Sequence, residues 1–128
     1  METLTSKQMV ALAKQDIQEV DVNKANEMIK DSKTLIVDVR EPGEFAEGHI
    51  AGAVNVPRGV LEFKLDPENS KELEHLQKKD LPMLVYCRSG SRSALAVQSI
   101  QKLGYSLAVS MIGGMEQWNK DGLPATCK

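Results

Sequence analysis

The feature that most constrains the fold is an apolar run that ends in charged residues. Leu35-Ile36-Val37-Asp38-Val39 shows no alternation of polar and apolar positions, which is typical of a strand buried on both faces of its sheet. The run Met83–Tyr86 has the same character. Strands of this kind belong to parallel sheets, because their crossover helices cover both faces. An α/β fold is therefore expected.

Helical patterns alternate with these strand patterns along the whole chain. Strands are predicted at about residues 17–20, 35–39, 53–56, 83–86 and 107–112. Helices are predicted at about residues 6–14, 22–29, 60–65, 70–78, 91–103 and 115–120, with a short one that begins near Pro42. This alternation indicates βα units and a mostly parallel sheet. Ligands of such sheets bind beyond the carboxyl ends of the strands.

Length and charge narrow the class of protein. A chain of 128 residues fits one domain with a core of its own. Sixteen basic and eighteen acidic residues give a net charge of −2, which argues against a nucleic-acid partner. The amino-terminal residues carry no apolar secretory segment, and no run approaches the ~20 apolar residues of a membrane helix. A soluble protein without a membrane partner is expected.

The two cysteines, Cys87 and Cys127, form no disulfide framework and no metal-binding cluster. Such sparse use of cysteine suits the reducing cytoplasm. Cys87 directly follows the strand at residues 83–86, and the loop Arg88-Ser89-Gly90-Ser91-Arg92 leads from it into a helix. Backbone N–H groups, a helix N-terminus and guanidinium groups all favour a thiolate, which is the nucleophilic form. The alternative is a half-buried structural cysteine before an ordinary turn.

Five sequence pieces in order show that the chain resembles a single-domain rhodanese, of the rhodanese-like sulfurtransferase family. They are Asp38-Val39-Arg40-Glu41-Pro42, Glu44-Phe45 with Gly48-His49-Ile50-Ala51-Gly52-Ala53, Asn55-Val56-Pro57, the loop from Cys87 to Arg92, and Gly113-Gly114 followed by Trp118. The resemblance covers roughly residues 19–124. We expect a rhodanese-like domain over residues 17–128 and an N-terminal helical extension over residues 1–16.

The resemblance implies an α/β fold whose central, mostly parallel sheet of about five strands is flanked by helices on both faces. It also implies that Cys87 accepts a sulfane sulfur from thiosulfate or another persulfide donor and becomes a persulfide. A thiol, a protein or cyanide would then accept the sulfur, in covalent catalysis of two steps. No cofactor and no metal are implied, and the sequence contains neither dinucleotide nor Walker fingerprints.

The resemblance gives the loop residues their roles. Backbone N–H groups from Arg88 to Arg92 would stabilise the terminal sulfur. The Arg92 side chain is expected to approach a sulfonate or the loop carbonyls, and Arg88 has a weaker claim to the same role. Ser89, Gly90 and Ser91 would act through their backbone, while the Ser91 hydroxyl can cap the helix that follows.

Residues outside the loop receive supporting roles. Asp38 and Arg40 end a strand and are expected to brace the site behind the loop. His49 stands in a structural turn of the family rather than as a general base, and Trp118 is expected in the core. Cys127 lies near the end of the chain, and a disulfide with Cys87 is a minor alternative.

Two other functions stay open. A persulfide carrier would hand its sulfur to a specific partner protein, and the charged segment at residues 60–79 could form its docking surface. A phosphatase or arsenate reductase is less favoured, because four residues separate Cys87 from Arg92 whereas phosphate loops use five. Ser93 occupies the position that would hold the arginine of the longer loop.

Overall fold

The computed structural model describes residues 3–128. Its single sheet has five strands: β1 (Glu19–Val20), β2 (Leu35–Asp38), β3 (Val54–Asn55), β4 (Met83–Tyr86) and β5 (Ala108–Met111). The strand order is β1-β5-β4-β2-β3, and every neighbouring pair is parallel. The expected five-stranded parallel sheet is therefore confirmed, with the two apolar runs as the neighbouring strands β2 and β4.

Within residues 3–128, six α-helices accompany the sheet: α1 (Ser6–Asp16), α2 (Val22–Met28), α3 (Pro42–Glu47), α4 (Leu61–Leu65), α5 (Ser91–Lys102) and α6 (Gly114–Lys120). Short 3₁₀ turns lie at Arg58–Val60 and Glu74–Leu76. Thr5 caps α1 and Asp21 caps α2 through side-chain oxygens that accept backbone N–H groups. None of the helices described could cross a membrane.

The core lies on both faces of the sheet, because successive side chains of a strand point to opposite sides. Val37 and Val85 pack on one face in a cluster with residues of α4 and α5. Ile36 and Leu84 pack on the other face in a cluster with residues of α2 and α6. Helices on both faces are thus confirmed, and the continuous apolar character of β2 and β4 follows from this double burial.

The helix predicted at residues 70–78 is wrong, since the structure forms only the 3₁₀ turn Glu74–Leu76 there. The side-chain Nε2 of Gln77 donates to the carbonyls of Lys64 and Ser70, at 3.2 and 2.8 Å. These bonds hold the backbone of the segment in an irregular conformation. Only Leu76 in this turn is buried. One apolar contact is too little to hold a helix of several turns against the sheet.

The register of β2 and β4 places the residues that follow these two strands next to each other. Asp38 is paired with Tyr86, and the amide of Val39 donates to the carbonyl of Tyr86 at 3.0 Å. The chain leaves both strands at this same edge, so Arg40 and Cys87 follow directly from neighbouring strand ends. The first helix, α1, packs on α5 from outside the sheet and buries Ala13 completely.

Candidate active site

The loop between β4 and α5 depends on a glycine. Gly90 has φ of +104°, in the left-handed region, and precedes the first residue of α5. A Cβ on this residue would lie 3.3 Å from the amide nitrogen of Gly113. The predicted capping role of Ser91 is wrong: Gly90 occupies the cap position, and Ser91 is already helical.

The sulfur of Cys87 lies inside this loop. The residue is 1% exposed, and its Sγ accepts the amide N–H groups of Gly90 at 3.1 Å and Ser93 at 3.3 Å. Gly90 lies within the predicted donor range of residues 88–92, and Ser93 lies just beyond it. Two N–H donors directed at one sulfur stabilise negative charge on that atom. The geometry therefore favours a thiolate.

Sequence reasoning missed a pair of buried hydroxyl groups behind the sulfur. The Cys87 thiol donates to Ser93 Oγ at 3.4 Å, and Ser93 Oγ lies 2.8 Å from Ser110 Oγ. Both serines are 0% exposed. Ser93 follows Arg92 directly, so its position was a usable signal. Ser110 comes from β5 and was not recognisable from the loop sequence.

The start of α6 fixes the loop from the other side. The amides of Met115 and Glu116 donate to the carbonyls of Cys87 and Arg88, at 2.8 and 3.0 Å. Gly114 has φ of +56°, and a Cβ there would lie 2.5 Å from the carbonyl carbon and oxygen of Arg88. The close approach of two backbones therefore requires a glycine at this position.

The Arg92 side chain is engaged by a residue that sequence reasoning did not assign to the site. Its Nη1 and Nη2 donate to the two carboxylate oxygens of Glu44, at 2.7 and 2.9 Å. Hydrogen bonding from Arg92 lowers the pKa of Glu44 to about 2, against an opposing effect of burial. The Glu44 hydrogen bonds raise the pKa of Arg92, and the nearby Cys87 adds to the same direction.

Asp38 and Arg40 form a buried ion pair beside the loop. Arg40 Nε donates to both carboxylate oxygens of Asp38 at 3.1 Å, and Nη2 donates to Oδ2 at 2.7 Å. The same Nη2 donates to the carbonyl of Gly48 at 2.7 Å. Burial disfavours the charged guanidinium, but the hydrogen bonds and charge of Asp38 outweigh it and raise the pKa of Arg40.

An open cleft of about 320 Å³ lies between α3, the loop and α6. Its lining residues are Arg40, Glu44, Glu47, Arg88, Met115, Glu116 and Asn119. The side chain of Arg88 is 68% exposed, and its Nε lies 3.7 Å from Glu116. This contact is longer than those of the two ion pairs above, so Arg88 is the less constrained guanidinium of the loop.

Comparison with known proteins identifies the family of this chain. The model of the rhodanese-like domain family matches residues 21–121. The chain belongs to this family. A sulfurtransferase of Allochromatium vinosum is 30% identical over 84% of this chain and 94% of its own length. The chloroplastic thiosulfate sulfurtransferase 16 of Arabidopsis thaliana is 36% identical over 69% of this chain and 76% of its own length.

A solved structure resembles nearly the whole chain. It is a Rhodopseudomonas palustris protein described as of unknown function and as a possible tyrosine phosphatase. The TM-score is 0.89 at 32% identity, and the alignment covers 98% of this chain and 97% of that one. The match extends beyond residues 21–121, so this rhodanese-like protein shares α1 with at least one relative.

In this rhodanese-like chain, the motif residues His49 and Trp118 are buried and contact backbone oxygens. His49 is buried, its Nδ1 lies 2.8 Å from the carbonyl of Phe45, and its Nε2 lies 3.1 Å from the carbonyl of Lys128. Both ring nitrogens therefore contact backbone oxygens. Trp118 is completely buried, as expected, and its Nε1 donates to the carbonyl of Pro124. Cys127 is exposed and free.

Proposed function

We propose that this chain is a rhodanese-type sulfurtransferase in which Cys87 carries the sulfur. The proposed donor is thiosulfate or another persulfide, and the proposed acceptor is cyanide, a small thiol or a protein. The sulfurtransferase names of the Allochromatium and Arabidopsis relatives support this class of reaction. Both cysteines are free thiols, which suits the cytoplasmic location that we also propose.

The observation that carries the proposal is the pair of N–H donors on Cys87 Sγ, from Gly90 at 3.1 Å and Ser93 at 3.3 Å. A sulfur held in this way is suited to negative charge, and a thiolate attacks a sulfane sulfur directly. A general base is then unnecessary, which agrees with the structural position of His49.

The reaction proceeds in two displacements at sulfur. The Cys87 thiolate attacks the outer sulfur of thiosulfate, the donor S–S bond breaks, and sulfite leaves with the electron pair. Cys87 now carries a persulfide, whose outer sulfur is negatively charged. An acceptor nucleophile attacks that outer sulfur, and the Cys87 thiolate leaves. The amides of Ser91 and Arg92 lie in the first turn of α5, where N–H groups have no acceptor inside the helix. We assign them to the charged outer sulfur.

The proposal is tested by thiocyanate formation from thiosulfate and cyanide. Cys87→Ser is expected to abolish thiocyanate formation, because a hydroxyl at this position cannot hold the sulfane sulfur. Cys127→Ser is the matched control and is expected to retain wild-type activity, since Cys127 is exposed and lies outside the loop. Undiminished activity of the Cys87→Ser variant would overturn the proposal.

A persulfide carrier is the second candidate, and one observation favours it. Phe63 is 62% exposed and Val60 is 39% exposed, and both line a hollow with Lys64 and Glu72. This surface lies within the segment 60–79 expected to contact a partner. An exposed phenylalanine beside charged groups suits a protein acceptor. The carrier uses the same Cys87 persulfide but turns over slowly with small acceptors.

A phosphatase is disfavoured by the loop. Four residues separate Cys87 from Arg92, and the place of a later arginine is taken by Ser93, whose amide and hydroxyl both contact the sulfur. Glu44 also accepts from both terminal nitrogens, Nη1 and Nη2, of Arg92. A phosphate group would have to displace that carboxylate.

A further inference from the structure

The Arg92 guanidinium already holds an anion from its own chain. Glu44 binds it in a bidentate fashion, at 2.7 and 2.9 Å, with side-chain exposures of 36% for Arg92 and 30% for Glu44. This is the geometry in which a guanidinium binds a planar or tetrahedral oxyanion. Hydrogen bonding from Arg92 lowers the pKa of Glu44 to about 2, so Glu44 is ionised at neutral pH. Another oxyanion can therefore bind the Nη1 and Nη2 side of Arg92 in the same bidentate way only when Glu44 moves away.

The two guanidinium groups that line the cleft, those of Arg40 and Arg88, have partners of their own. Arg40 is bound to Asp38 and to the carbonyl of Gly48. Arg88 is exposed and lies beside Glu116. Three carboxylates, from Glu44, Glu47 and Glu116, line the cleft against two guanidinium groups. Within the part of the chain that the structure describes, each guanidinium that lines the cleft thus already lies beside a carboxylate.

We propose that Glu44 is a specificity-determining residue that selects the sulfur donor by competing with its oxyanion for Arg92. Thiosulfate carries a sulfonate-like group next to its sulfane sulfur and has to displace Glu44. A persulfide carries no oxyanion there and leaves the Glu44–Arg92 pair in place. The preferred donor class is therefore a persulfide, whose S–S bond breaks as Cys87 attacks, with the donor thiolate as the leaving group. This inference rests on the proposed function.

The test compares Glu44→Gln with Glu47→Gln, using thiosulfate and cysteamine persulfide, which has no carboxylate, as donors. Glu44→Gln replaces a charge-assisted pair by a neutral hydrogen bond, so the KM for thiosulfate is expected to fall about tenfold. The kcat for thiosulfate and the KM for the persulfide are expected to stay within about twofold. Glu47→Gln removes one charge from the same helix without breaking the pair, and it is expected to lower the KM for thiosulfate by less than about twofold.

The possible outcomes distinguish donor selection by Glu44 from a general effect of removing a negative charge and from a loss of folding. An unchanged or higher KM for thiosulfate in folded Glu44→Gln overturns the inference, and so does an equal fall in both variants. If Glu44→Gln does not fold, Glu44→Asp keeps the charge on a shorter side chain that loosens the pair. The same direction of change is then expected, and an unchanged KM contradicts the inference.

A second readout needs no sulfur transfer. Methanesulfonate is an oxyanion without a sulfane sulfur, and we expect its binding at Arg92 to protect Cys87 from iodoacetamide. In Glu44→Gln, protection is expected at about tenfold lower concentration than in the wild type. Equal protection in both proteins overturns the inference. If the wild type accepts sulfur from neither donor while this shift is present, the proposed function fails and the anion competition stands.

Discussion

Ser93 contacts the candidate nucleophile twice, through its amide and through its hydroxyl. The hydroxyl also lies 2.8 Å from Ser110 Oγ. A hydroxyl both donates and accepts, so this pair fits either form of the sulfur. The Cys87 thiol donates to Ser93 Oγ in the structure. We expect the Ser93 hydroxyl to donate to the sulfur once the thiol has lost its proton, with Ser110 as the donor to Ser93.

Ser93→Ala is expected to slow the alkylation of Cys87 by iodoacetamide at pH 7 by about tenfold. The variant loses one hydrogen bond to a charged group, which is worth about 1.5–3 kcal/mol. Ser99→Ala removes a hydroxyl from the same helix away from the sulfur and is the matched control. Alkylation of Ser93→Ala at the rate of this control would show that the hydroxyl does not stabilise the thiolate.

At the scale of the elements, the site depends on how α6 meets the loop. The first turn of α6 donates two N–H groups to the carbonyls of Cys87 and Arg88. This contact anchors the loop at Cys87 and Arg88, and further along the same loop the N–H groups of Gly90 and Ser93 face the sulfur. The two glycines before Met115 allow the approach, because both have φ in the left-handed region.

Gly114→Ala is expected to lower both stability and activity. The added Cβ meets the backbone of Cys87 and Arg88, which cannot move aside as a flexible side chain would. The strain is on the order of 1–3 kcal/mol, and the displaced loop is expected to transfer sulfur at least about tenfold more slowly. Thermal unfolding and thiocyanate formation measure the two effects.

Gly43→Ala is the matched control for this variant. A Cβ on Gly43, within α3, meets nothing within 4 Å. Its melting temperature is expected to be unchanged or higher, because alanine is the better helix former. If Gly114→Ala behaves like Gly43→Ala in both measurements, the glycine contact does not position the loop.

In the molecule as a whole, the parallel sheet brings the residues of the site together at the carboxyl ends of its strands. The central strands β2 and β4 are buried on both faces, and this burial fixes their register. The register in turn brings Arg40 and Cys87 to the same end of the sheet. The sequence was sufficient to predict this architecture, because the apolar runs and the alternation of helices and strands are local signals.

The contacts that complete the site were not predictable in the same way. Glu44 is 48 positions from Arg92, and Ser110 is 17 positions from Ser93. Each meets its partner only because separate elements converge at the sheet edge. The loop around Cys87 was recognised since all of its residues are adjacent in sequence. The family can be recognised from the order of the motifs along the chain. The Glu44–Arg92 ion pair and the Ser93–Ser110 hydroxyl pair, in contrast, arise only from the packing between elements.

The persulfide on Cys87 is tested most directly by the intact mass of the reduced protein after brief exposure to a sulfur donor. Cysteine persulfide and thiosulfate are each applied to the wild type and to Cys87→Ser. We expect a gain of one sulfur atom in the wild type, reversed by cyanide and absent from Cys87→Ser. No gain from either donor, or an equal gain in Cys87→Ser, would contradict the claim that Cys87 carries the sulfur.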